Sequence, residues 1–145
     1  MNPTANVGPP VAGPATSPGP WLATSNGVTI TVATVDYEEH LAQVRFRLDN
    51  VSQQTVVARA DDVDDYIFVV DNFGRGRSLL DSSFPDDGLV LGPGQSAFGR
   101  IGLGQTWATN TESFDVRVVF SYENSDQYFT LTSPGVPVAV EERVG

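Results

Sequence analysis

The sequence has no cysteine, which excludes disulfide staples, thiolate metal sites and cysteine nucleophiles together. It has one histidine, His40, so a histidine-built metal site or a two-histidine mechanism is excluded. Lysine is missing as well, and all eight basic residues are arginine. Against them stand 18 acidic residues, for a net charge of −10. That balance repels nucleic-acid phosphate and anionic membrane surfaces. No apolar run approaches the ~20 residues of a membrane-spanning helix. Neither nucleic-acid binding nor direct membrane insertion is expected.

Charge is also missing locally: the first charged residue is Asp36. Within residues 1–20 lie six of the ten prolines, interleaved with Gly8, Gly13 and Gly19. Proline lacks the amide donor that helix needs and favours extended chain. Residues 1–26 therefore read as an extended Pro/Gly-rich arm or linker. The stretch has no basic n-region or apolar h-region, so a cleaved signal peptide is not expected. As an arm it offers Val7, Val11 and Trp21 as apolar anchors for a neighbouring chain. What remains of the 145 residues is about one domain, 40% hydrophobic over the whole chain.

From Val28 the hydrophobic period is two. Val28, Ile30 and Val32 alternate with Thr29 and Thr31; Ala42, Val44, Phe46 and Leu48 alternate with Gln43, Arg45 and Arg47. Phe114, Val116, Val118 and Phe120 repeat the pattern, and Glu123-Asn124-Ser125-Asp126 closes a hairpin onto Tyr128–Thr132. Asp36 to His40 reads as the connection between the first two strands. Shorter β-rich runs lie at 55–58, 66–70, 89–91 and 95–103, separated by Asn72–Gly76 and Gly92-Pro93-Gly94 turns. The pattern predicts an all-β, antiparallel immunoglobulin-like β-sandwich of seven to nine strands over residues 27–133, with 134–145 as a tail. Val44, Phe46, Leu48, Val116, Val118 and Phe120 are expected to be buried together, since a one-residue slip would expose them all.

The run "VTITVATVDYEEHLAQVRFRLDNVSQQTV", followed by "YIFVVDNFGRG", "LVLGPGQSAFGRIGL" and "FDVRVVFSY", resembles the telokin-like immunoglobulin-fold accessory domains. These occur in bacterial surface proteins and lipoproteins, and related sandwiches decorate phage particles. The resemblance spans residues 27–132 and carries turn and strand signatures, with no catalytic residues to transfer. Together with the neutral arm, the lack of a signal peptide and the acidic sandwich, this leads to the expectation of a non-catalytic structural subunit of a larger assembly, such as a virion decoration, capsid-accessory or tail protein, docking through its N-terminal arm at a virion or extracellular surface. Its partners would be protein neighbours, copies of itself included. The alternative that the resemblance implies is an accessory ligand- or protein-binding domain of a cell-envelope protein or lipoprotein.

Chemistry-bearing residues are sparse. A serine triad would have to use His40, which sits in the charged stretch Glu38-Glu39-His40 with no GxSxG elbow in the chain. Catalytic residues and cofactors are not expected. Asp61, Asp62, Asp64 and Asp65 form the densest acidic run and are the calcium candidates, although no DxDxDG spacing is present. A solvated acidic loop is the competing account. Trp107, like Trp21, is either an exposed partner contact or a plug for one end of the core. Asn50-Val51-Ser52 fits a glycosylation sequon and also reads as a turn.

Overall fold

The computed structural model describes residues 16–17, 19–38, 41–58, 66–77, 79–85, 88–104, 107 and 110–138. Among them there is no helix. The strands are β1 (Thr16–Ser17), β2 (Trp21–Ser25), β3 (Val28–Glu38), β4 (Leu41–Asn50), β5 (Val56–Ala58), β6 (Ile67–Asp71) and β7 (Gly76–Arg77). They continue with β8 (Leu79–Ser82), β9 (Leu89–Leu91), β10 (Ser96–Leu103), β11 (Ser113–Tyr122), β12 (Tyr128–Thr132) and β13 (Val136–Pro137).

Two antiparallel sheets result. The first runs β1-β3-β4-β10-β8 with β2 also on β3, and the second β7-β6-β11-β5-β9 with β12 and β13 also on β11. Several short strands share one position. β1 and β2 both pair with the edge of β3 that faces away from β4. On β11, β5 and β6 occupy one edge while β12 and β13 occupy the other. β9 and β7 lie outside β5 and β6 in turn. The thirteen strands among the described residues thus fill nine positions, five in one sheet and four in the other. Periodicity counts positions; breaks within a position leave little trace in it.

The inner faces of both sheets meet in one apolar cluster. Val44, Phe46 and Leu48 from β4 and Val116, Val118 and Phe120 from β11 are all within it, as the alternation requires. A one-residue slip of β4 would exchange them for Arg45 and Arg47, and unpaired guanidinium groups do not survive burial. Trp107, Phe114, Val136 and Val138 extend the cluster. Part of the stretch expected as a tail is therefore core.

Two local devices depart from the pattern. Asn26 and Gly27, at φ of 52° and 81°, make a two-residue turn that folds Trp21–Ser25 back onto Val28–Val32. Positive φ at both central residues is what a tight hairpin turn demands, and Asn-Gly is its usual sequence. The second device is a bulge: the β3–β4 register shifts between Val32 and Thr34, with Ala33 as the extra residue. It moves the inward positions from Val28, Ile30 and Val32 to Val35 and Tyr37. β3 accordingly continues through residues 36–38, where the sequence suggests a connection, and Tyr37 is buried.

Candidate interaction surface

Val7, Val11, His40 and the calcium candidates Asp61, Asp62, Asp64 and Asp65 lie outside the described residues. Trp21 is half-buried in β2 and packs against the core. Trp107 is fully buried, stacked on Phe114 at 5.0 Å between centroids, with the Arg77 guanidinium 4.6 Å from its own ring centroid. It plugs the core and offers no surface to a partner, which corrects its reading as a contact residue. No group of three or more metal-ligating side chains exists among the described residues.

Opposite Phe114 in the β6–β11 ladder sits the one buried carboxylate among the described residues, that of Asp71. Its Oδ1 accepts from the amides of Phe73 and Arg75, each at 2.9 Å, and its Oδ2 from Arg75 Nε at 2.6 Å. Burial pushes the carboxyl up, but these amides and the Arg75 guanidinium outweigh it and hold it below the usual carboxylate range. Burial acts on Arg77 in the opposite sense, pulling its guanidinium below its ordinary value, with Asp71 opposing and Arg75 adding to the shift. Every hydrogen bond to the Asp71 carboxylate comes from the β6–β7 turn. The cluster is structural.

The outer sheet faces are different. On the first sheet, the registers align Leu22, Thr31, Arg47 and Phe98 in one row across four strands. Phe98 is 74% exposed and Leu22 54%. Arg47 lies over the Phe98 ring at 5.7 Å, and Arg45 stands directly opposite Arg100 in the next row. Like charges in facing positions repel, and each arginine has a carboxylate at its flank. Arg45 Nε lies 3.7 Å from Asp36, Arg47 Nε 2.9 Å from Asp49 and Arg100 Nη1 3.2 Å from Asp81. Asp49 also accepts from the Ser96 hydroxyl. Two shallow grooves of 510 and 360 Å³ flank the row and share Thr31 and Arg47. The Thr31 hydroxyl is buried there without a hydrogen-bond partner.

The outer face of the second sheet has a matching row: Val90, Val57, Ser121 and Tyr128. Val90 is 61% exposed and Tyr128 40%. With the β11–β12 turn, Glu123 to Asp126, they line an open groove of 790 Å³. Among the described residues, Glu123 and Asp126 form no ion pair.

The sequence reading passes over Phe98 and Val90. Both are visible as apolar residues out of phase: Phe98 shares its parity with Arg100 while Ile101 and Leu103 hold the inward one. That signal is parity within a strand, and it is readable only once the strand's inward face is known. No family model matches the chain, and no curated protein is significantly similar to it.

Proposed function

We propose that this chain is a non-catalytic structural subunit of a larger assembly, an immunoglobulin-like sandwich of telokin-like type held by protein contacts on its sheet faces. The observation that carries the reading is Phe98. A phenyl ring left 74% exposed forgoes most of the ~1.5–3 kcal/mol that burying it would contribute. It stands among Arg45, Arg47 and Arg100, three of the eight arginines in a chain of net charge −10. Aromatic and arginine side chains together are the usual composition of binding hot spots. A virion decoration, capsid-accessory or tail protein fits a small acidic sandwich with such faces.

Sedimentation of native material tests this. The chain is expected in a fraction far heavier than its own 15.5 kDa, and Phe98→Asp is expected to move it to the light fraction. Native chain found only as a free monomer sinks the proposal.

A further inference from the structure

The two exposed rows lie on opposite sides of the sandwich, and their chemistry is complementary. One projects a phenyl ring among three arginines; the other sets Val57, Val90 and Tyr128 beside a polar turn whose Glu123 and Asp126 have no ion-pair partner among the described residues. From this we infer that the chain stacks on itself head to tail. The outer face of the first sheet of one copy seats on the outer face of the second sheet of the next. Phe98 enters the groove between Val57, Val90 and Tyr128, while Arg47 and Arg100 reach Glu123 and Asp126. This rests on the assembly reading above and names the neighbour.

The size and the donors fit. The groove is open and its 790 Å³ leaves a phenyl ring room to lie along it. Arg47 uses Nε and Arg100 uses Nη1 for their own-chain carboxylates. A guanidinium has five N–H donors, so each keeps others for a second carboxylate. Because the contact joins two different surfaces, it leaves one of each free on every stack and does not close at a dimer. Four strand positions span only about 14 Å at ~4.8 Å per step. That is narrow for a permanent interface, and a single contact is expected to be weak and readily reversible.

The test is the mass of the purified full chain by sedimentation equilibrium. Wild-type mass is expected to rise with concentration past that of a dimer, without a plateau there. Phe98→Asp removes one face and Val90→Asp the other, so each variant alone should remain monomeric. An equimolar mixture retains one intact face of each kind and should stop at a heterodimer. Raising salt from ~0.05 to ~0.5 M should weaken association several-fold, because Debye screening acts on exposed charge pairs. Both variants change exposed residues, and their thermal midpoints should stay within ~2 °C of wild type. A wild-type monomer at several hundred micromolar, a plateau at the dimer, or a mixture that fails to associate overturns self-stacking. If the purified chain is monomeric yet Phe98→Asp still releases it from native particles, the assembly reading stands and the face takes a different protein. If it stacks when purified but no native particle contains it, stacking stands and the assembly reading fails.

Discussion

The ring of Phe84 lies where a side chain on Gly99 would have to be. A Cβ at residue 99 would stand 2.5 Å from two Phe84 ring carbons and 2.8 Å from the Ser83 hydroxyl. Gly99 is opposite Phe46 in the β10–β4 ladder, and Phe46 stacks on Phe84 at 4.8 Å. The missing side chain is what lets the segment after β8 close that end of the core.

Gly99→Ala should therefore cost about 1–3 kcal/mol by overpacking. In Phe84→Leu the site has more room, and the same substitution should cost less. Chemical denaturation of the four variants measures the coupling, and full additivity would show that the close approach is not what matters.

Asn50 is buried, and its side chain is fully used. Its amide donates to the carbonyls of Gln54 and Leu91 at 2.7 and 2.9 Å, and its oxygen accepts from the Ser52 amide and hydroxyl at 3.0 and 2.6 Å. Asn50→Ala should cost about 1–3 kcal/mol. At ~2–4 °C per kcal/mol for a chain of this size, the midpoint falls by several degrees. Asn50→Asp turns a carboxylate oxygen onto two carbonyls and should cost more at pH 7. Expression in a glycosylating host should leave the mass unchanged, since the sequon nitrogen is inside. A glycan on Asn50 would contradict this burial.

Asp71 makes stability pH-dependent. Its folded carboxyl titrates below the ordinary ~3.9, so on lowering the pH the unfolded chain takes up the proton first. The contribution is complete above about pH 5, declines through ~3.9 and is gone below the folded value. Stability therefore rises with pH across that window. Asp71→Asn should be less stable at pH 7 and show a shallower loss on acidification. Denaturation from pH 2 to 7 measures both slopes, and parallel curves would remove Asp71 from the account.

Gly27 has φ of 81° and its added Cβ would lie 2.6 Å from Ser52 Cβ. Gly27→Ala combines left-handed backbone with a clash and should cost at least ~1 kcal/mol. Amide exchange should report loss of protection first in Trp21–Ser25, the strand which that turn holds. Uniform loss across β3 and β4 would mean the edge strand is not a separate unit.

Alternation in β4 and β11 is enough to name their buried faces, because a period of two in a sheet with one wet side permits a single register. The turns at Asn72–Gly76 and Gly92–Gly94 are equally legible, since glycine marks where the backbone must turn. Asn26-Gly27 held the hairpin signal for β2 too, masked by the prolines before it. What local sequence could not decide is anything that depends on a second strand. The bulge at Ala33 exists only against β4, and it reassigns Val35 and Tyr37 to the core. Trp107, in a polar stretch, is buried because Phe114 and Arg77 arrive from elsewhere in the chain. Phe98 and Val90 acquire meaning only when the registers set them in rows with Arg47 and Tyr128. Periodicity is a property of one strand, while a binding face is a property of several, and their alignment is fixed by the ladders between them.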